Sequence, residues 1–263
     1  PYTRAFARRF RHMHASRRIV LATFGSFGDL HPYIAVAREL GRRGHRPLVA
    51  SVVEHREAVE AAGVEFAPMR PALSSFGDPA AIMKRLIDPW RGLEFLVRGM
   101  IMPHLRDSYE DLAHACRGAD LLVTHPLAFA GPLLAQKEGL AWVSTALSPM
   151  TLLSAIDPPL FPKVPWLRWA RLLGVAPYRW LFRIPRAMVR RWEAPLRAFR
   201  AEVGLPATDT LAQFEGQFSP RLHLALFSGV LAAPQPDWPP NTIVCGFPRY
   251  DGTAPDARTQ SDL

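Results

Sequence analysis

The sequence predicts an α/β fold, in which a mostly parallel sheet is covered by helices on both faces. Short runs of continuous apolar, often β-branched residues alternate with segments of helical periodicity. Strands that are apolar throughout, without alternation of polar residues, are typical of parallel sheets buried on both sides. With 263 residues, 49% of them hydrophobic and 21% charged, the chain is long enough to bury a core and is not of low complexity.

Strands and helices are predicted in alternation along the chain. Seven apolar runs are predicted as strands, at residues 18–24, 47–53, 64–66, 120–124, 141–147, 222–227 and 242–245. Four segments between them have mainly helical character, at residues 32–43, 54–62, 79–116 and 127–139. Repeated strand and helix units of this kind predict a Rossmann-like sheet.

Three regions are predicted from composition. Residues 1–17 form a basic arm that we expect to be disordered, residues 18–246 form one Rossmann-like domain, and residues 247–263 have the composition of a linker. The chain has no run of about 20 apolar residues, as a membrane-spanning helix needs, and its start lacks the apolar core of a secretory signal. Cys116 and Cys245 are too far apart for a CxxC metal site or a disulfide framework, so a cytoplasmic location is predicted.

The net charge of +9 is concentrated in two segments. Residues 1–18 hold six arginines and no acid, and residues 163–200 hold ten bases and one acid, whereas the rest of the chain has 16 bases and 22 acids. A mildly acidic body does not predict a nucleic-acid partner. Aromatic residues are interleaved with the arginines of residues 163–200. This pattern indicates either helices with solvated arginines over a cleft or peripheral contact with an anionic membrane.

The turn after the first strand has the sequence GSFGDLHP, at residues 25–32. It lacks both the GxGxxG and the GxxxxGK pattern, and the acidic Asp29 argues against phosphate at this position. A carboxylate at the carboxyl end of a strand is suited to accept a proton from a hydroxyl group. Alternatively, Asp29 caps the following helix, and His31 is a histidine of the surface or of the capping region.

Several stretches resemble a known family. GSFGDLHP and RELGRRGH are followed by residues 120–149, by PDWP at 236–239 and by GFPRYDG at 246–252. Together they resemble the amino-terminal, acceptor-binding domain of GT-B glycosyltransferases, in the group that acts on sterols, antibiotic aglycones and flavonoids. The resemblance runs from about residue 17 to residue 251 and implies one half of a GT-B fold.

The resemblance implies an inverting transfer of a hexose from a nucleotide-sugar co-substrate to a hydroxyl group, without a cofactor or metal. Asp29, three positions before Pro32, corresponds to the general base of such enzymes. His125 stands where several branches carry an acidic residue at the end of the fourth strand. It is a candidate assistant to Asp29 or, alternatively, a histidine of the acceptor pocket.

The acceptor implied by the resemblance is a small apolar molecule with a hydroxyl group, such as a sterol, polyketide, flavonoid or lipid. Phe24, Phe27 and Phe129 are near predicted strand ends, where they line the cleft or belong to the core. The other candidates for acceptor binding are in the turn after the first strand: Gly25, Ser26, Gly28 and His31.

In the family, a second domain binds the nucleotide-sugar through a histidine- and glycine-rich motif, and the present sequence has no such motif. We therefore expect one acceptor domain with a linker, inactive without a nucleotide-sugar domain that a separate chain could supply. The alternatives are a non-catalytic aglycone-binding or auxiliary protein and a truncated remnant.

Overall fold

Seven strands form one parallel sheet in the structure, a computed structural model that describes residues 15–158, 169 and 174–252. The strands are β1 (Arg18–Ala22), β2 (Arg46–Ser51), β3 (Glu65–Pro68), β4 (Leu121–Thr124), β5 (Trp142–Ala146), β6 (His223–Ala225) and β7 (Thr242–Val244). Their order is β3-β2-β1-β4-β5-β6-β7, and every neighbouring pair is parallel. The predicted Rossmann-like fold is thus confirmed, with the chain reversing its direction of winding between β1 and β4.

The described α-helices are α1 (Phe27–Arg42), α2 (Arg56–Ala61), α3 (Pro79–Leu86), α4 (Gly92–Glu94), α5 (Leu105–Ala115), α6 (Ala130–Glu138), α7 (Ala176–Leu181), α8 (Arg183–Trp192) and α9 (Ala194–Glu202). A π-helix, Phe95–Ile101, and a 3₁₀ turn, Met102–His104, connect α4 to α5. Among the described residues, no helix is long and apolar enough to cross a bilayer.

Both faces of the sheet are buried, as the continuous apolar strands predict. Along β1, Ile19 and Leu21 belong to one apolar cluster and Val20 and Ala22 to the other, because successive side chains point to opposite faces. The first cluster is completed by one face of α1, at helical spacing: Leu30, Tyr33, Ile34 and Ala37. The second cluster includes the buried residues of α5 and α6.

Helix α1 begins five residues earlier than the sequence predicts. The predicted start at Pro32 is wrong, because the helix begins at Phe27 with Ser26 as an extended N-cap residue. The backbone N–H of Ser26 donates to Asp29 Oδ2 at 2.8 Å, which satisfies a donor at the helix end. Asp29 therefore lies in the first turn of a helix that continues through Pro32, and not in a loop.

Parts of the predicted terminal regions lie outside the described residues, namely residues 1–14 and 253–263. Residues 159–168 and 170–173, which include the beginning of the basic segment 163–200, also lie outside them. Arg17, the last residue of the predicted basic arm, forms an ion pair with Asp120 at 2.9 Å. Of the predicted linker, the Tyr250 ring contacts the His31 ring, with 5.4 Å between centroids.

Candidate active site

The candidate site lies where the winding of the sheet reverses, at the carboxyl ends of β1 and β4. This position opens a crevice in parallel α/β sheets and is where such folds bind ligands. Asp29 comes from α1, which follows β1, and His125 directly follows β4. The backbone N–H of His125 donates to the carbonyl of Ala22 at 2.9 Å, which ties the two strand ends together.

The two oxygens of Asp29 have different partners. Oδ2 accepts from the backbone N–H of Ser26 at 2.8 Å and from the Ser26 hydroxyl at 2.9 Å. Oδ1 lies 3.4 Å from Nε2 of His125. The side chain of Asp29 is 31% exposed, whereas that of His125 is 5% exposed. Asp29 therefore caps α1 with one oxygen while the other faces His125 at the edge of the site.

The hydrogen bonds of His125 determine its tautomer. The backbone N–H of Leu127 donates to Nδ1 at 3.2 Å, so Nδ1 carries a lone pair in the neutral imidazole and Nε2 carries the proton. This Nε2–H is the atom that faces Asp29. The Tyr33 ring packs on His125 edge to face, with 5.9 Å between centroids.

The surroundings of Asp29 keep its carboxyl group ionised. Burial by itself raises the pKa of Asp29, but the contact with His125 and the hydrogen bonds from Ser26 outweigh burial, so the pKa lies below its ordinary value of 3.8. At neutral pH the site therefore presents a carboxylate that can accept a hydrogen bond or a proton.

Sequence reasoning missed a buried row of hydrogen bonds next to His125. The Tyr33 hydroxyl lies 2.5 Å from Thr145 Oγ1, which donates to the carbonyl of Thr124 at 3.0 Å. Thr145 has only one proton to donate, so the Tyr33 hydroxyl is the donor of the shorter bond. These two hydrogen bonds link α1, β5 and β4 below the candidate site. The spacing of Tyr33, Thr124 and Thr145 in the sequence does not indicate that these three residues are buried together.

His55 is a second residue of the site region that the sequence did not indicate. It follows β2, and its Nδ1 lies 2.8 Å from Ser51 Oγ, which donates to the carbonyl of Thr23 at 3.0 Å. Burial lowers the pKa of His55, so it is neutral at pH 7. Its place after a strand end, like that of His125, is the signal that could have identified it.

The aromatic candidates occupy two different environments. Phe24 and Phe129 are 4% and 3% exposed and line one small apolar crevice with Met69 and Ile101, so they belong to the core at the wall of the site region. Phe27 is 52% exposed. Its ring contacts the rings of His31 and His55, and the His31 ring contacts that of Tyr250, so these four residues form an aromatic rim beside Asp29.

Glycine is required at one of the predicted positions. Gly25 has a φ of +131°, which is unfavourable for other residues, and a Cβ atom there would lie 2.4 Å from Asp29 Oδ2. Ser26 and Gly28 lie at the start of α1, where Ser26 holds Asp29. Among residues 15–158, 169 and 174–252, no three His, Cys, Asp or Glu side chains are grouped to hold a metal ion.

No protein-family model matches the chain, but individual proteins do. The sterol 3-beta-glucosyltransferase of Neurospora crassa is 33% identical over 141 residues, which are 51% of this chain and 8% of that protein. The sterol 3-beta-glucosyltransferase of Leptosphaeria maculans is 26% identical over 244 residues, which are 87% of this chain and 15% of that protein. The chain thus spans only a small part of the length of these relatives.

A solved structure has the same architecture. The kitacinnamycin glycotransferase matches 88% of this chain and 51% of its own, with a TM-score of 0.52 and 25% identity. The similarity in sequence and the similarity in fold therefore lead to the same type of protein. The chain contains a GT-B glycosyltransferase-like domain, with the Rossmann-like fold of one half of such an enzyme.

Proposed function

We propose that this domain binds the acceptor in an inverting glycosyl transfer, with Asp29 as the general base. The observation that carries the proposal is an ionised, partly exposed carboxylate at the crevice of the sheet, with Oδ1 facing His125 and Oδ2 fixed by Ser26. A base must lie within hydrogen-bond reach of the proton that it removes, and the exposed side of Asp29 is open to a hydroxyl group.

The proposed step transfers one proton and one glycosyl group. Asp29 takes the hydroxyl proton while the acceptor oxygen forms a bond to the anomeric carbon of a nucleotide-sugar. The bond from that carbon to the phosphate oxygen breaks, and its electron pair leaves with the nucleotide. Attack from the face opposite the leaving group inverts the anomeric centre.

His125 is proposed as a positioning residue. Its Nε2 lies 3.4 Å from Asp29 Oδ1, while the backbone N–H of Leu127 donates to Nδ1 on the other side of the ring. This arrangement orients the carboxylate and favours its ionised form before reaction. His125 does not compete for the acceptor proton, because in this tautomer the nitrogen that faces Asp29 already carries one.

We propose an apolar acceptor, with sterols as the leading class. Two observations support this choice. The aromatic rim of Phe27, His31, His55 and Tyr250 offers apolar surface beside Asp29. In addition, the relatives from Neurospora crassa and Leptosphaeria maculans are sterol 3-beta-glucosyltransferases. An apolar acceptor would also accord with peripheral contact between residues 163–200 and an anionic membrane.

The nucleotide-sugar is proposed to bind a second Rossmann-like domain, in the same polypeptide or in a separate chain. Residues 18–246 would form the acceptor domain and residues 247–263 the connection. Because the two reactants would be held on different domains, transfer depends on bringing the domains together.

The test measures glucose transfer from UDP-glucose to cholesterol, a flavonoid and a polyketide aglycone, with the chain alone and with a GT-B nucleotide-sugar domain added. Asp29→Asn removes the base, and Asp78→Asn is the matched control, because Asp78 caps α3 outside the site. Binding of cholesterol and of the corresponding 3-ketone is measured in parallel by calorimetry.

We expect Asp29→Asn to lower the transfer rate by a factor of about 100 to 10,000, the usual contribution of a general base, while cholesterol binding persists and Asp78→Asn remains active. Unchanged transfer in Asp29→Asn would overturn the role of Asp29. Acceptor binding without transfer under any of these conditions would identify the domain as a non-catalytic binder.

A further inference from the structure

A groove on the surface of α7, α8 and α9 carries arginines and exposed apolar residues together. It is open, has a volume of about 700 Å³, and is called the arginine groove below. Eight residues line it, including three large apolar residues, Trp180, Ile184 and Met188, and four arginines, Arg183, Arg190, Arg191 and Arg197. The groove is separate from Asp29 and His125, which lie at the ends of β1 and β4.

The apolar residues of the arginine groove form an exposed stripe. Trp180, Ile184 and Met188 follow one another at intervals of four residues, and they are 64%, 50% and 49% exposed. Ile184 and Met188, four residues apart in α8, lie on the same face of that helix, and Trp180 of the preceding helix α7 lines the same groove. A row of large apolar side chains in water is unfavourable, so this stripe indicates a surface that contacts apolar material.

The arginines around the stripe differ in whether they form an ion pair. Arg190 pairs with Asp209 at 3.0 Å, and Arg186 pairs with Glu215. In the described part of the chain, Arg183 and Arg191 form no ion pair within 4 Å. Nη1 of Arg197 is buried and has no hydrogen-bond partner among the described residues.

Among the described residues, the one acid of this segment, Glu193, interacts electrostatically with Arg197, whereas Arg183 and Arg191 have no acid within 4 Å. Glu193 is 1% exposed, and its two oxygens accept from the backbone N–H groups of Ala212 and Gln213, each at 2.8 Å. Its carboxylate is therefore directed at the backbone of another segment. The arginine groove keeps an excess of positive charge beside apolar side chains.

We propose that the arginine groove docks on the surface of an anionic phospholipid bilayer. The phosphate of a headgroup is held by Arg183 and Arg191, and the apolar stripe enters the boundary between headgroups and acyl chains. This is the charge and apolar pattern of helices that lie in a membrane interface. The inference rests on the membrane contact put forward with the proposed function, and it names the surface that makes this contact.

A bilayer fits the groove better than a nucleic acid does. A nucleic acid would match the arginines, but two of the three exposed apolar side chains, Ile184 and Met188, have no aromatic face for a base to stack on. A bilayer matches both features, because it presents phosphate and hydrocarbon in adjacent layers.

The test is co-sedimentation of the full chain with vesicles of phosphatidylcholine, with or without 30% phosphatidylglycerol, at 0.1 M and 0.5 M NaCl. Arg183→Gln with Arg191→Gln removes two charges from the groove, and Trp180→Ser shortens the stripe. The matched controls are Arg46→Gln with Arg117→Gln, exposed residues near the amino ends of β2 and β4, and Trp90→Ser, since Trp90 is 70% exposed.

We expect binding only to the anionic vesicles and weaker binding at high salt. The double arginine variant should bind about 30-fold less tightly, at about 1 kcal/mol for each charge near an anionic surface, while its control changes less than threefold. Trp180→Ser should weaken binding and Trp90→Ser should not. Asp29→Asn should bind vesicles normally, so failure of docking and failure of the catalytic proposal are distinguishable.

Three outcomes would overturn the proposal. The first is equal loss of binding in the double variant and its control, which would assign binding to net charge or to other basic segments. The second is the absence of binding to anionic vesicles. The third is tight binding of single-stranded RNA, lost in the double variant, without vesicle binding, which would assign the groove to nucleic acid.

Discussion

Asp29 has two roles that two substitutions can separate. Asp29→Ala removes the oxygen that accepts from the N–H and hydroxyl of Ser26, at 2.8 and 2.9 Å. Loss of such capping costs about 1 kcal/mol, and loss of the negative charge at the helix start costs about 0.5 kcal/mol more. Asp29→Asn keeps an oxygen for Ser26 and loses the charge. Its amide nitrogen then faces the Nε2–H of His125, so the 3.4 Å contact loses its acceptor in both variants.

Urea unfolding monitored by circular dichroism at pH 7 measures these effects. The free energy of unfolding should fall by about 1.5 kcal/mol in Asp29→Ala and by about 0.5 kcal/mol in Asp29→Asn, with unchanged m-values. Both variants should lose glycosyl transfer. Equal destabilisation by the two variants would refute the capping geometry, and transfer that persists in Asp29→Asn would refute the role as base.

Three further predictions concern the same fold. His125→Ala should move the acid limb of the transfer rate to higher pH, because burial raises the Asp29 pKa and only the hydrogen bonds from Ser26 then oppose it. An unmoved limb in the pH-rate profile would contradict the contact. Gly25→Ala should abolish transfer and, through backbone strain, lower the free energy of unfolding measured with urea by about 1 to 3 kcal/mol. Transfer and stability close to those of the wild type would contradict the positive φ of Gly25. Burial lowers the pKa of His223 to about 4, so as the pH falls from 7 to 5 the unfolded chain takes up a proton at this histidine and the folded chain does not. The free energy of unfolding, measured with heat and urea, should therefore fall by about 2 kcal/mol over this range. The loss should be absent in His223→Asn, which retains a partner for Ser144, and equal pH dependence of the two proteins would refute the prediction.

The two proposals are consistent with each other in one respect. The exposed apolar stripe of Trp180, Ile184 and Met188 would hold the domain at a bilayer, where apolar hydroxyl compounds are concentrated. The proposed acceptor site would then take its substrate from the membrane and not from dilute solution.

The elements that the sequence predicted best are those with local signals. The strands at β1, β2, β4 and β5 follow from continuous apolar runs, and the parallel order follows from their alternation with helices. The start of α1 is predicted wrongly at Pro32, because a proline is favoured at the first position of a helix. Pro32 is instead the sixth residue of α1, where it lacks the N–H that would bond to the carbonyl of Gly28, and the helix begins earlier at the cap formed by Ser26 and Asp29.

The sequence by itself determined the type of sheet and pointed to Asp29 and His125 as candidates, through strand ends, one glycine turn and a family resemblance. Only the tertiary structure decided that Asp29 Oδ1 and His125 Nε2 lie 3.4 Å apart, that His55 and Tyr33 border the site, and that the basic segment carries an exposed apolar stripe. The reason is physical. Periodicity specifies which face of an element is buried, whereas contacts between residues 96 positions apart depend on the order and register of the strands that carry them.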